Sequence, residues 1–330
     1  MSVGRKLVGV SHRDVIEAAE RIAGKVERTP LIETRVRGAT LWLKCECLQT
    51  GGSFKLRGAT NRLLQLDEEQ RRRGVVAFSS GNHARGVAIA ARRLGIAATI
   101  VMPADAPKVK IDGTRGEGGE IVFYDRRSED RGAIAARLAG ETGATVVPSF
   151  DDPMIVAGQG TAGLEILTQL AEAGAPPPSR IVVPTGGGGL ASAIALACPD
   201  AEIVCVEPEG WDDMARSLDM GHIVPVANDA PATLCDALQT LRVSPITFGI
   251  LAARRVRAVA VSEDEVAEAV RFAWAGHGLV VEPGGAVALA ALLSGKVAVG
   301  EGTVAVLSGG NVDPALHARI VGEAQPAEVR

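Results

Sequence analysis

Short β-branched runs recurring between longer helical stretches constrain this chain more than any other feature. VVAF (75–78), ATIVM (98–102), EIVFY (120–124), ATVVP (144–148), RIVVP (180–184), EIVCVE (202–207), RAVAVS (257–262), LVVE (279–282) and TVAVL (303–307) are apolar along most of their length. Strands buried on both faces read this way. Between them, stretches such as NHARGVAIAARRLG and AGLEILTQLAEAG place apolar residues at helical spacing and end in Gly, where a helix stops. The alternation predicts an α/β chain with open, mainly parallel sheets and helices on both faces. With 330 residues there is room for two domains, or for one large unit carrying an inserted lobe. Only 3% of residues are aromatic against 47% hydrophobic, so the core must be built from Ala, Val, Leu and Ile.

Charge and cysteine usage narrow the partners. A net charge of −4, from 35 basic and 39 acidic residues, leaves no footprint for a nucleic-acid backbone or an anionic membrane. A small-molecule partner is expected. Cys45, Cys47, Cys198, Cys205 and Cys235 are too dispersed for a zinc pattern and read as reduced thiols. The N-terminus lacks the apolar stretch of a signal peptide, Ser11 to Ala23 reads as a capped helix, and no segment approaches the roughly 20 apolar residues of a membrane span. A cytoplasmic protein is expected. The segment AEAGAPPPSR (171–180) reads as a rigid helix-to-strand connection.

Four segments carry chemistry. In TGGSFKLRGATNRLL (50–64) a lysine, Lys55, opens a helical pattern beside Phe54. The helix dipole disfavours a cation there, so the amine suits a partly buried nucleophile; a solvated lysine between glycines is the alternative. In RIVVPTGGGGLASAIALA (180–197), Gly186, Gly187, Gly188 and Gly189 follow a strand and precede a helix. A backbone without Cβ atoms can close its N–H groups around a phosphate, and no P-loop or dinucleotide fingerprint is present. A merely tight turn seldom needs four glycines. In AFSSGNHARGVA (77–88), Ser79, Ser80, Gly81, Asn82 and His83 leave a strand's carboxyl end, the ligand side of an open α/β sheet. Helix capping by Ser80 or Asn82 competes with that reading. TVAVLSGGNVD (303–313) repeats the pattern with Ser308 and Asn311.

Taken in order, SFKLRGA, SSGNH, PTGGGGL and LSGGN resemble the serine/threonine dehydratase group of fold type II pyridoxal-phosphate enzymes, the tryptophan-synthase-β-like branch. The likeness runs from about Thr29 to Asp313. It implies two open, mainly parallel sheets with flanking helices. It also implies a Schiff base between Lys55 and pyridoxal 5'-phosphate, with Phe54 packed near the ring and Asn82 bonded to the 3-hydroxyl. Gly186 to Gly189 would hold the phosphate, Ser308 would meet the pyridine nitrogen, and Glu282 in VVEPGGA would stand behind the ring. Lys55 and Ser80 would be the acid–base pair on opposite faces, while Ser79, Gly81 and His83 would line the substrate carboxylate.

The same resemblance points to an ammonia-lyase that eliminates water and ammonia from L-threonine- or L-serine-type β-hydroxy amino acids. A 3-hydroxyaspartate dehydratase or a serine or aspartate racemase is the alternative. Arg131 matches a substrate-facing arginine of the racemase and hydroxyaspartate relatives and would pair with a second carboxylate; a solvated helix-start arginine is the competing account. Glu207, Trp211 (through its carbonyl) and Asp213 in VEPEGWDDM resemble a divalent-cation site for Mg2+ or Ca2+, although a capped helix start explains the acidic pair as well. Ala84 and Arg85 stand where Gly and Gln are frequent, which bears on substrate breadth. No isoleucine-regulated domain is expected after the last motif. Residues 1–70 and 151–330 would form the large cofactor-binding domain and residues 71–150 a small mobile one, in a homodimer.

Overall fold

The computed structural model describes residues 9–79 and 81–322. Helix α1 (His12–Ile22) starts at a capping box in which Ser11 and Asp14 bond reciprocally. Strands β1 (Leu31–Val36) and β2 (Ala39–Lys44) follow, then α2 (Lys55–Leu64) and α3 (Glu68–Arg73). The next segment alternates regularly through β3 (Val75–Phe78), α4 (Asn82–Leu94), β4 (Ala98–Pro103), α5 (Lys108–Gly116), β5 (Glu120–Tyr124), α6 (Arg131–Thr142) and β6 (Thr145–Val146). Helix α7 (Pro153–Glu172) leads into β7 (Arg180–Pro184), α8 (Gly189–Ala197), β8 (Glu202–Pro208), α9 (Asp213–Met220) and α10 (Pro245–Ala253). The chain closes with β9 (Arg257–Val261), α11 (Glu263–His277), α12 (Pro283–Ser294), β10 (Thr303–Val306) and α13 (Pro314–Val321).

Two sheets result. One has six strands in the order β1-β2-β10-β7-β8-β9, parallel except for the antiparallel β1–β2 pair, and the other has four parallel strands in the order β5-β4-β3-β6. Neighbouring residues of one strand feed different cores, as the two-residue period of a strand requires. Along β7, Ile181 and Val183 join the core under α7 and α8, while Val182 joins the one under α11 and α12. In the smaller sheet Val75 and Ala77 face α2 and α4, and Val76 faces α6. Of the Phe, Tyr and Trp side chains among the described residues, only Tyr124 is in the buried set, so these cores are aliphatic.

Two expectations about strands need correction. LVVE (279–282) forms no strand. Its Leu279 N–H closes α11 on the Ala273 carbonyl and its Glu282 N–H bonds the Gly309 carbonyl, so the run is a link between helices, buried except at Val280, that lacks a ladder. The β1–β2 hairpin went unpredicted because β1 carries Glu33 and Arg35. Its turn, Arg37–Gly38, has positive φ at both residues (51° and 82°), the geometry that matches the twist of paired strands. All five cysteines are buried and free. Among the described residues no helix is long and apolar enough to cross a membrane.

Candidate active site

Strands β3, β7 and β10 end at one cleft, each releasing its chain into a polar loop, as open parallel sheets do at their carboxyl edges. Phe54, Lys55, Ser79, Gly81, Asn82, His83, Arg131, Gly186 to Gly189, Glu282 and Ser308 all line this cleft. Ser80 lies outside the described residues. Glu207, Trp211 and Asp213 are not part of the lining.

Lys55 is placed by the loop before it. Residues 51–54 are laced to residues 308–311: Phe54 N–H bonds the Ser308 carbonyl at 3.2 Å, Gly310 N–H bonds the Gly52 carbonyl at 2.9 Å, and Asn311 Nδ2 bonds the Gly51 carbonyl at 2.8 Å. The first residue of α2 therefore emerges at the cleft. Its Nζ donates to the Ser149 carbonyl at 3.1 Å and lies 5.0 Å from the Phe54 ring centre. Burial lowers this amine to about 8, with the Glu282 charge opposing part of the fall. A substantial fraction is neutral near physiological pH, as a nucleophilic amine requires.

The glycine segment builds an anion seat. Gly188, at φ 82°, is the N-cap of α8 and has no side chain to bond the helix's first N–H groups, which are left for an outside acceptor. A Cβ on Gly187 would run into the Phe150 ring, and one on Gly188 would come within 2.7 Å of the Met214 methyl. Thr247 Oγ1 fixes the loop by donating to the Gly187 carbonyl at 2.8 Å.

On the remaining wall, Asn82 Nδ2 donates to Glu282 Oε1 at 2.5 Å, and Asn311 Nδ2 donates to Asn82 Oδ1 at 2.8 Å. Arg85 extends the chain by donating to Asn311 Oδ1 at 2.9 Å. Glu282 is buried with Oε2 unpartnered, and burial pushes its carboxyl up to about 7. His83 Nε2 lies 2.8 Å from the Val147 carbonyl, an acceptor, so Nε2 carries the proton and Nδ1 is a bare lone pair. Burial and the nearby Lys55 charge lower this imidazole to about 3. It offers a substrate an acceptor rather than a donor. Arg131 stacks 5.8 Å from the Phe78 ring centre and has no ion-pair partner among the described residues.

The acidic pair beyond the cleft backs the glycine seat. Glu207 receives the Met214 and Ala215 N–H groups at 2.9 Å each, and Met214 packs against Gly188. Both Asp213 oxygens are buried without a partner, and burial raises that carboxyl to about 7. Burial also raises Glu207, against the pull of its two N–H donors. Each carboxylate has lone pairs to spare, and oxygen donors are the type a hard cation takes. No group of three or more His, Cys, Asp or Glu side chains suited to a metal gathers among the described residues. The Trp211 indole donates to the Pro231 carbonyl.

Several cleft residues went unsingled in the sequence. Phe150 and Ser149 follow the short β6, and Lys110 and Asp236 form an ion pair at the cleft. Asp236 alone is placed near the site by the sequence, within the block 234–248 where substrate loops are expected, though with no role assigned to it. Lys110 sits in a PKVK run that resembles any solvated helix start, so no local signal marks it.

A family model described as pyridoxal-phosphate dependent enzyme matches residues 5–309. The chain is 45% identical over 320 residues to the L-threo-3-hydroxyaspartate ammonia-lyase of a Pseudomonas species, covering 94% of this chain and 98% of the relative. It is 38% identical over 326 residues to the serine racemase of Schizosaccharomyces pombe, covering 96% and 99%. Among solved structures, a T.th. threonine deaminase superimposes with a TM-score of 0.86 at 41% identity, over 92% of this chain and 99% of that one.

Proposed function

Because the chain belongs to the family of pyridoxal-phosphate-dependent enzymes, we propose that it is an ammonia-lyase converting a β-hydroxy amino acid to a 2-oxo acid and ammonia. One observation carries this reading: a buried amine of lowered pKa, Lys55, shares a cleft with a four-glycine anion seat at a helix N-terminus. When bound, pyridoxal 5'-phosphate supplies an electron sink for the α-carbon of an amino acid. Lys55 would anchor it, Gly186 to Gly189 would hold its phosphate, and Ser308 would face its ring nitrogen. Phe54 would pack on the ring. Asn82, held between Glu282 and Asn311, would offer its amide to the 3-hydroxyl.

The chain's own groups then divide the work. Lys55, as a free amine, would take the α-proton. A hydroxyl at position 308, rather than a carboxylate, would not hold the ring nitrogen protonated. Ser79 and Gly81 would hold the α-carboxylate, and Ser80 would act on the face opposite Lys55. His83, with its bare Nδ1, suits a proton-bearing group of the substrate better than that carboxylate. Arg131, free of any acidic partner among the described residues, supports a substrate with a second carboxylate. The similarity to a hydroxyaspartate ammonia-lyase favours the same reading, 3-hydroxyaspartate, over L-threonine or L-serine. Racemisation through the same Lys55 and Ser80 is the second reading, supported by the similarity to a serine racemase.

Three further points belong to the proposal. Residues 71–150, whose strands make the four-stranded sheet, would form a small domain closing over substrate held by residues 1–70 and 151–330. Asp213 and Glu207, with the Trp211 carbonyl, would bind Mg2+ or Ca2+ and stiffen the glycine seat from behind. The protein would act as a cytoplasmic homodimer.

The test is direct. Holoenzyme should show a visible absorption band that borohydride abolishes and that Lys55→Ala lacks. Incubation with L-threonine, L-serine and both 3-hydroxyaspartate diastereomers should release oxo acid and ammonia. Inverted substrate without oxo acid would overturn the lyase reading.

A further inference from the structure

Lys110 and Asp236 face one another at the cleft, and nothing in the chemistry above uses them. Lys110 stands on α5, beside the four-stranded sheet, and Asp236 opens the turn Asp236–Leu238 ahead of α10. Lys110 Nζ donates to Asp236 Oδ2. The pair is unequal: the Lys110 side chain is 7% exposed and that of Asp236 41%. The lysine also lies on the Gly81 backbone, where a Cβ would fall 3.2 Å from its Nζ. Its ammonium is therefore pinned beside the Gly81 backbone, while the half-exposed carboxylate sits at the rim.

A desolvated ammonium needs an anion against it, and losing the anion costs several kcal/mol. A half-exposed carboxylate, by contrast, returns to water cheaply. Asp236 thus has the properties of an exchangeable counter-ion. We propose that Lys110 is a specificity-determining residue: the distal carboxylate of a dicarboxylic β-hydroxy amino acid replaces Asp236 on its ammonium, whereas a neutral substrate leaves the pair intact. The proposal rests on the lyase reading for its substrate class, and it deepens that reading by giving the second carboxylate a cation besides Arg131. Lys110 and Arg131, in the first turns of α5 and α6, both line this cleft.

The experiment compares holoenzyme of the wild type, Asp236→Asn and Lys110→Met. It measures kcat/KM for L-threo-3-hydroxyaspartate against L-serine, and calorimetric affinity for succinate against propionate. Asp236→Asn, which removes the competing carboxylate, should raise both dicarboxylate-to-monocarboxylate ratios about fivefold, and Lys110→Met should lower them by on the order of tenfold. Ratios unchanged within about twofold, or Lys110→Met depressing both partners of each ratio alike, would overturn the proposal and leave the pair a structural tie. Asp236→Asn, isosteric and half-exposed, keeps the test decisive if Lys110→Met does not fold. Should no hydroxy amino acid be turned over while the succinate ratios respond as stated, the lyase reading fails and the role of Lys110 stands.

Discussion

At the residue scale, the state of Lys55 governs how the cofactor is captured. Its amine is lowered to about 8 by burial, and the Glu282 charge holds it from falling further. Capture requires the neutral amine, so its rate in apoenzyme should climb with pH and level off above about 8. Removing the opposing charge in Glu282→Gln should move that inflection to lower pH, which stopped-flow absorbance would follow. The stability linkage has a matching sign. Between about 8 and the ordinary 10.5 the unfolded chain binds a proton that the folded amine does not, so this group makes apoenzyme stability rise with pH across that window. Arg131 belongs to the same scale. Arg131→Gln should lower kcat/KM for 3-hydroxyaspartate by on the order of a hundredfold, and that for L-serine far less, because a charge-assisted pair worth a few kcal/mol is lost only with the dicarboxylate.

At the element scale, α2 is held by a buried charge cluster behind the cleft. Arg57, two residues after Lys55, bonds Glu46 through Nε at 2.7 Å and Glu165 through Nη1 at 2.6 Å, and Lys44 reaches Glu165 at 2.6 Å. Burial pushes the Glu46 carboxyl up, but the charge and hydrogen bonds of Arg57, with Lys44 and Thr29, together outweigh it and hold the group below its ordinary 4.5. Its contribution to stability is therefore complete above 4.5 and lost as the pH falls through the lowered value. Arg57→Met strands a buried carboxylate and should cost about 3–5 kcal/mol in urea unfolding. The glycine seat tests the other end of the site. A side chain in Gly187→Ala would meet the Phe150 ring, so cofactor titration should show affinity weakened by at least about tenfold, roughly 1.4 kcal/mol.

At the scale of the whole molecule, the cleft exists because two mainly parallel sheets present the loops at their carboxyl edges to it. The proposed cation site lies outside the chemistry. Exhaustive chelation should lower the melting temperature by a few degrees through loss of a native-state ligand, with Mg2+ or Ca2+ restoring it. A melting temperature indifferent to chelator and metal would remove the ion from the Asp213 and Glu207 pair.

Much of this was legible in the chain itself. Period and punctuation announced the buried strands, and the capped pattern from Ser11 to Ala23 announced a helix, because burial on both faces and capping are local demands on residue type. The four ordered motifs put Lys55 and the glycines in one functional group, since nucleophilic amines and anion seats need particular residues. Other features were not local. LVVE has a strand's composition but spends its backbone bonds closing α11 and meeting the Gly309 carbonyl. The β1–β2 hairpin hides behind charged residues that its edge position tolerates. The unprotonated Nδ1 of His83 depends on the Val147 carbonyl 64 positions away, and Lys110 gains meaning only from Asp236, 126 positions away. The sequence by itself determined the fold class and the kind of chemistry, because those follow from patterns within a few residues. Protonation states and counter-ions were decided by the tertiary structure alone, because burial and charge act between groups that the chain brings together only on folding.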